Sequence, residues 1–218
     1  MALDFADATG RLIRIGQRFD TRGWVLGTSG NFSIVLNEEP VRLAITKSGT
    51  QKGDLTGNDI LEVGEDGTSI GSMVGVPSAE TRLHLEIVSA RPAAAVLHTH
   101  SIWSTLLSDR LAARGGVEIK GYEMLKGLAG VTTHEHREWI PILDNDQDMA
   151  RLAAKVGATL RDQPACHGFL LRRHGLYTWG ATLQDAVRHT EILEFLLESV
   201  GRARYTSALP EEAAPWRS

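Results

Sequence analysis

The chain has 218 residues, of which 42% are hydrophobic and 23% are charged, a composition typical of one globular domain. A net charge of -4 and the lack of any basic run exclude the electrostatic footprint of a nucleic-acid-binding protein. No apolar stretch approaches the roughly 20 residues that span a bilayer, and the first residues lack a signal-peptide apolar block. The single cysteine, Cys166, excludes an internal disulfide framework. We therefore expect a cytoplasmic protein without membrane partners.

The first part of the chain predicts a helix, a group of short strands and a second helix. Leu12, Ile13, Ile15 and Phe19 supply the apolar positions of an amphipathic first helix. Turn residues separate three strand candidates, "NFSIVL", "VRLAIT" and "ILEVGEDG". The stretch "PSAETRLHLEIVSARP" is bracketed by prolines, which predicts a helix of about three turns.

The second part of the chain alternates strands with longer helices. "AAAVLHTH" and "WIPILD" are predicted strands, and "HGFLLRRHGLYTWG" predicts one or two more. Ser101 and Thr182 are candidate N-caps of two helices, and "DMARLAAKVGATL" predicts another. Because the early strands lie too close for helical crossovers, we expect a mixed, largely antiparallel sheet covered by helices. We expect this domain to occupy residues 1–204, and residues 205–218, rich in proline, alanine and acids, to form a loose tail.

Two histidines one residue apart close the apolar run "AAAVLHTH". Side chains of a strand alternate between faces, so His98 and His100 point the same way and Thr99 points away. Two neutral imidazoles on one face can share a cation; the alternative is that one packs in the core and the other caps the next segment. His174 ends another apolar run, and three protein ligands with one open position are typical of a catalytic zinc site.

The remaining histidines are weaker candidates. His134 and His136 have the same spacing, but they lie in a polar stretch that predicts a solvated loop. His84 and His167 can face either the core or a pocket, and His189 shares a helical face with leucines, which indicates packing.

Two acids are candidates for proton transfer. Glu80, in "PSAET", is expected in the first turn of its helix, where the helix dipole alone would explain a carboxylate. Glu123, in "GYEMLKGLAG", can act as an acid or base if it is buried near a cation. The alternative for Glu123 is a surface position paired with Lys120 or Lys126.

Three small-residue turns are suited to an anion. "GTSGN" at 27–31 and "KSGT" at 47–50 offer backbone N–H groups and hydroxyls, and Ser78 stands at a helix N-terminus. Each alone is usually just a turn, but together they predict a phosphomonoester site. No Walker pattern and no G-x-G-x-x-G is present, so a nucleotide is not indicated.

In this order, "GTSGNFS", "ITKSG", "PSAETRLH", "VLHTHS" and "LLRRHGLYTWG" resemble the class II aldolase family over nearly the whole chain, to about Arg204. The resemblance implies an α/β fold: a three-layer α/β/α class II aldolase-like domain around a central mixed, mostly antiparallel sheet. It implies a homotetramer with sites at subunit interfaces, and one Zn2+ per subunit held by His98, His100 and His174. Phosphate contacts then fall on Thr28, Gly30, Asn31, Ser48, Gly49 and Ser78. Ala79 departs from the family pattern, which has a second serine there.

Within the family, "GYEMLKGLAG", "HEHREWIPILDNDQDM" and "HGFLLRRHGLYTWG" are similar to a dehydratase subfamily of methionine salvage. This similarity implies a lyase that removes water from 5-methylthioribulose 1-phosphate and leaves 2,3-diketo-5-methylthiopentyl 1-phosphate. Glu123 matches the general acid/base of that subfamily, and Glu80 matches the catalytic glutamate of the aldolases, so the acid that removes the first proton stays open. The alternatives are a sugar-phosphate aldolase that releases dihydroxyacetone phosphate, and a scaffold like the adducins, whose heads lack the three histidines.

Overall fold

The computed structural model describes residues 3–71 and 75–206. The described part contains an eight-stranded sheet in the order β3-β2-β1-β4-β8-β7-β6-β5, in which β6 and β7 are parallel and every other neighbouring pair is antiparallel. The predicted mixed, mostly antiparallel sheet is therefore confirmed. The strands are β1 Asn31–Glu38, β2 Val41–Thr46, β3 Ile60–Val63, β4 Ala95–Thr99, β5 Gly116–Ile119, β6 Glu138–Leu143, β7 Gly168–Leu171 and β8 Gly175–Gly180.

Helices cover both faces of the sheet, which gives the predicted α/β/α layers. Their bounds are α1 Phe5–Thr21, α2 Thr81–Ala90, α3 Ile102–Arg110, α4 Met149–Asp162 and α5 Leu183–Thr206. The apolar stripes of α2 and α4 pack against one face of the sheet, around Phe169 and Tyr177. The stripes of α1, α3 and α5 pack against the other face, around Leu97 and Leu176. Burial of these stripes is the main stabilising contribution.

Polar side chains, among them Asp4 at the start of α1, cap the N-termini of four of the described helices. The Ser101 hydroxyl accepts a hydrogen bond from the backbone N–H of Ser104, and that of Thr182 accepts one from the Asp185 N–H, which confirms both predicted caps. The Asp148 carboxylate accepts from two N–H groups of the first turn of α4. Each cap satisfies backbone donors that the helix leaves without an internal partner.

One strand of the sheet was missed by the sequence prediction, and an alternative that it left open is decided in favour of two strands. Strand β5 was not predicted, because four residues with one exposed acid carry little periodic signal. The stretch "HGFLLRRHGLYTWG" forms two strands joined by a tight turn, in which Arg173 takes a φ of 56°. Helix α5 continues to Thr206, and residues 207–218 of the predicted tail lie outside the described residues. None of the helices in the described ranges has the length and apolar character needed to cross a membrane.

Candidate metal centre and active site

Three imidazoles meet at the end of β4. The Nε2 atom of His100 lies 2.8 Å from that of His98 and 3.1 Å from that of His174, and the His98–His174 distance is 3.3 Å. The period-two prediction is confirmed, because Thr99 points to the opposite face and donates a hydrogen bond to the buried Glu194 of α5. His174 reaches the same place because β8, which follows it, pairs with β4.

The surroundings keep these imidazoles neutral. Burial and the two neighbouring rings hold the pKa of His98 well below its usual value. Burial, His174 and the Lys52 charge lower the pKa of His100 to about 4, and burial lowers that of His174 although Glu80 opposes it. Neutral imidazole is the form that binds metals.

The three nitrogens fit a metal ion. The Nδ1–H of His98 donates to the Leu176 carbonyl at 3.0 Å, which leaves its Nε2 lone pair free. Three neutral rings whose Nε2 atoms lie this close direct lone pairs at one another, and a shared cation satisfies them. Within the described ranges, these histidines are the group of His, Cys, Asp or Glu side chains whose ligand atoms are close enough to hold a metal.

Glu80 lies beside the three histidines, at the N-cap position of α2. The structure places it one residue before the first turn in which it was expected: α2 begins at Thr81, the Glu80 carbonyl accepts from the His84 N–H, and its side chain makes no capping hydrogen bond. Its Oε1 lies 3.2 Å from Nε2 of His174, and its Oε2 lies 3.7 Å from Nε2 of His98. The carboxylate makes no capping bond at this helix start, and its oxygens are directed instead at the histidine cluster.

A buried hydrogen-bonded chain orients Glu80. The amide nitrogen of Asn31 donates to Glu80 Oε2, and its amide oxygen accepts from Nε2 of His84. Nδ1 of His84 lies 2.7 Å from the Ser33 hydroxyl, which donates to it. Burial lowers the pKa of His84 to about 3, so its ring is neutral. Of the two placements left open for His84, the structure shows the core, directly behind the site.

Tyr177 is a residue of the site that the sequence analysis missed. Its ring stacks on that of His98, with centroids 3.8 Å apart and planes 12° apart, and Phe169 stacks on its other side. Burial and the nearby Glu80 charge raise the pKa of the Tyr177 hydroxyl. No sequence signal marked it, because only the pairing of β4 with β8 sets Tyr177 opposite His98.

The predicted phosphate turns surround one cavity next to the histidines. The cavity has a volume of about 170 Å³, and Glu80, His100, Lys47 and Lys52 also line it. All six residues expected to contact phosphate line it: Thr28, Gly30, Asn31, Ser48, Gly49 and Ser78. Three turns that are distant in sequence thus meet at a single place.

Glu123 is not part of this cluster within one chain. It lies in a short 3₁₀ helix at Glu123–Gly127, with 73% of its side chain exposed. Its ion-pair partners are Lys126 at 2.6 Å and His134 at 3.8 Å, and the Lys126 hydrogen bond lowers the pKa of its carboxyl. In the isolated chain, Glu123 is therefore the surface residue that the alternative interpretation described.

The other histidines lie away from the metal centre. His134 is exposed, whereas His136 and His167 both contact the buried Glu138 carboxylate. His189 is buried; it donates to the Trp179 carbonyl and accepts from the backbone N–H of Ala129, so its predicted packing role is confirmed.

Comparison with known proteins identifies the family. The model of the Class II Aldolase and Adducin N-terminal domain matches residues 10–200. The chain belongs to this family. It is 45% identical over 199 residues to a methylthioribulose-1-phosphate dehydratase of Pseudomonas fluorescens (strain Pf0-1), an alignment that covers 91% of this chain and 94% of the relative. It is 42% identical over 195 residues to a dehydratase of the same name from Sorangium cellulosum (strain So ce56), covering 89% and 91%.

Solved structures agree with the fold of this family member. The l-fuculose-1-phosphate aldolase from Thermus thermophilus superposes with a TM-score of 0.74 over 95% of this chain and all of that chain, at 24% identity. A sugar-phosphate aldolase from Thermotoga maritima gives 0.71 over 94% and 98%, at 17% identity. These likenesses establish the class II aldolase fold.

Proposed function

We propose that this chain is a lyase that dehydrates 5-methylthioribulose 1-phosphate to 2,3-diketo-5-methylthiopentyl 1-phosphate in methionine salvage. The observation that carries the proposal is the meeting of three neutral histidines, Glu80 and the phosphate turns around one cavity. The dehydratases to which the chain is 42–45% identical over about nine-tenths of its length support the choice of substrate.

We propose that His98, His100 and His174 hold one Zn2+ per subunit. Three imidazoles that leave an open position suit a catalytic zinc ion, and the Leu176 carbonyl fixes the ring of His98. When bound, the ion supplies a Lewis acid that polarises the substrate carbonyl and makes the neighbouring C–H more acidic.

The turns supply the phosphate contacts in this proposal. Gly30 and Gly49 take φ values of 73°, which only glycine adopts readily, and they turn the backbone around the cavity. Thr28, Ser48 and Ser78 add hydroxyl donors to the backbone N–H groups. The phosphate thereby sets the sugar chain in one direction relative to Glu80.

Glu80 is placed to take the proton from C3 of the substrate. Its carboxylate lies at the histidine cluster, and the Asn31 amide holds one of its oxygens. Removal of the C3 proton leaves an electron pair that expels the C4 hydroxyl once that oxygen receives a proton. The resulting enol becomes the 2,3-diketone by proton transfer to C4, so one water is lost in total.

We propose that Glu123 of an adjacent subunit delivers the proton to the leaving hydroxyl. Within one chain its carboxylate lies outside the cavity, so a neighbouring copy has to bring it there. Large apolar side chains near it and on α3 and α5 are exposed, as is typical of a subunit interface: Ile102, Leu106, Met124 and Phe195. A homotetramer with sites at its interfaces accommodates this arrangement.

The competing enzyme is a sugar-phosphate aldolase, which breaks a carbon–carbon bond with the same kinds of groups. The test incubates zinc-loaded protein with 5-methylthioribulose 1-phosphate and determines the product mass. Loss of one water supports the dehydratase, whereas dihydroxyacetone phosphate identifies an aldolase. The three histidines disfavour an adducin-like scaffold, and failure of the protein to retain zinc or to turn over any sugar phosphate would reopen it.

We also propose a cytoplasmic location and a single catalytic domain at residues 1–204. Every group invoked above lies within those residues, and their core clusters pack on one continuous sheet. No nucleic-acid or membrane partner enters the proposed reaction.

A further inference from the structure

Lys52 is a buried ammonium group that the motifs did not identify. Only 1% of the residue is exposed, although lysine is seldom buried in proteins. Its Nζ donates to the carbonyls of Thr50 at 2.6 Å and Thr28 at 3.2 Å, one in each of the first two phosphate turns. Lys52 therefore holds the two turns together at the cavity that they enclose.

The ammonium charge has no contacting counter-ion within the described chain. An ammonium has three donors, and the two carbonyls use two of them. In the described ranges no carboxylate lies within 4.0 Å of Nζ; Asp59 and Glu80 act on it only at longer range. Burial lowers the pKa of Lys52 to about 8, since removal from water disfavours the charged form.

The position of Lys52 is enforced by the fold. It begins a short 3₁₀ helix at Lys52–Asp54, against which α1 packs at Gly16. A Cβ at Gly16 would lie 2.1 Å from the Lys52 carbonyl oxygen, so the glycine is what allows α1 this close. A buried cation fixed in an anion-binding cavity is stabilised by a bound phosphate dianion, which supplies the opposite charge.

We propose that Lys52 is a specificity-determining residue that provides the positive charge for a phosphomonoester and selects phosphorylated over unphosphorylated sugars. The identity of the sugar in this inference rests on the proposed function. The binding of a phosphate group by Lys52 does not depend on it. Lys47 also lines the cavity, where it is half-buried and its Nζ contacts the Asn58 carbonyl at 3.4 Å. The matched comparison is therefore Lys155 on α4, an exposed lysine away from the cavity whose Nζ pairs with Asp146.

The experiment titrates inorganic phosphate into zinc-loaded wild type, Lys52→Met and Lys155→Met by calorimetry. Methionine keeps the length of the stem and removes the charge. We expect Lys52→Met to raise the Kd for phosphate about 10- to 100-fold, the size of a charge-assisted hydrogen bond. For Lys155→Met we expect a rise below about threefold, as for an exposed charge. Zinc content and melting temperature confirm folding, and Lys52→Gln is a second variant if Lys52→Met does not fold.

A Kd for Lys52→Met or Lys52→Gln within threefold of wild type overturns the inference, as does a wild type that binds no phosphate. Turnover of 5-methylthioribulose 1-phosphate by the wild type is measured separately. If the wild type does not dehydrate it but the Lys52 variants lose phosphate binding, the proposed function fails and Lys52 keeps its role. If the wild type dehydrates it and those variants bind phosphate normally, only the role of Lys52 fails.

Discussion

Asn31 donates a hydrogen bond to the Glu80 carboxylate, and the other end of the same amide contacts the core residue His84. Because a carboxylate only accepts, the amide nitrogen faces Glu80 and the amide oxygen faces Nε2 of His84. The neutral His84 ring then carries its proton on Nε2, and its Nδ1 accepts from the Ser33 hydroxyl. A core histidine thereby holds a side chain at the proposed metal centre.

We predict that His84→Leu lowers kcat about 10- to 100-fold, because Asn31 loses the donor that fixes its amide and Glu80 loses its orientation. His84→Gln can still donate to the Asn31 oxygen and should retain more activity. Zinc content and KM should change little in both variants. Steady-state kinetics and elemental analysis check this, and equal loss in the two variants would show that packing alone matters.

The three proposed metal ligands give a second prediction. His98→Ala, His100→Ala and His174→Ala should each lose most bound zinc and nearly all activity, since each removes one of three converging nitrogens. His134→Ala is the matched control for zinc content, because that ring is exposed and is not part of the histidine cluster. Elemental analysis of the purified variants decides the matter, and full zinc in any of the first three would remove that histidine from the centre.

Two glycines of the phosphate turns should respond differently to substitution. Both have a φ of 73°, but a Cβ at Gly49 meets nothing within 4 Å, whereas one at Gly30 lies 2.6 Å from the His98 carbonyl oxygen. Gly49→Ala should therefore raise KM about tenfold, the order of one hydrogen bond to a charged group, and keep zinc. Gly30→Ala should also deplete zinc by displacing His98. Parallel KM and zinc measurements test the contrast, and normal zinc in Gly30→Ala would contradict it.

The sequence predicted those features of the site that depend on residues close together in the chain. The shared face of His98 and His100 follows from strand alternation, and the small-residue turns follow from their composition. Lys52 and Tyr177 were missed because their partners come from distant segments: Lys52 binds backbone carbonyls in two turns, and Tyr177 meets His98 through strand pairing. The spacing of residues in the sequence does not reveal contacts between distant segments.

The same distinction between local and long-range contacts explains which parts of the fold were predicted. Apolar periodicity predicted the long helices, and Ser101 and Thr182 were recognised as caps because capping is a local interaction. Strand β5 was missed because its four residues are defined by pairing with β6. The direction of the Glu80 side chain was also missed, since its partner Asn31 comes from a distant segment of the chain.

Complementation between subunits tests the place of Glu123. Glu123→Gln and His98→Ala should each be nearly inactive alone, with turnover in Glu123→Gln reduced at least ~10²-fold. If each site combines the histidines of one subunit with Glu123 of another, random mixing of the two variants restores both groups in about one quarter of the sites. The measurement is kcat after co-expression of equal amounts. A mixture as inactive as its components would place Glu123 at the site of its own subunit or outside catalysis.

A buried ion pair away from the site gives a pH prediction. Both ring nitrogens of His167 face acceptors, with Nδ1 3.0 Å from a Glu138 oxygen and Nε2 2.9 Å from the Ala129 carbonyl, so the ring is doubly protonated. Burial opposes this charge, but the Glu138 carboxylate and the Ala129 carbonyl together outweigh burial and raise the pKa of His167. Burial likewise opposes the charge of Glu138, but hydrogen bonds from His167 and His136 lower its pKa. His189, whose ring centroid lies 5.0 Å away, is kept neutral mainly by burial.

A raised histidine pKa stabilises the fold fully below the unfolded value of about 6.5, and this contribution is lost as pH rises through the folded pKa. The lowered pKa of Glu138 contributes above its unfolded value of about 4.3 and is lost as pH falls through its folded pKa. We therefore predict that the melting temperature of the wild type falls between pH 6 and pH 8.5 by more than that of His167→Gln. The glutamine of this variant does not titrate. His134→Gln is the control, because its exposed ring should leave the wild-type slope unchanged. If the melting temperatures of the wild type and His167→Gln fall equally over this pH range, His167 is neutral in the folded protein and one of its two hydrogen bonds is not made.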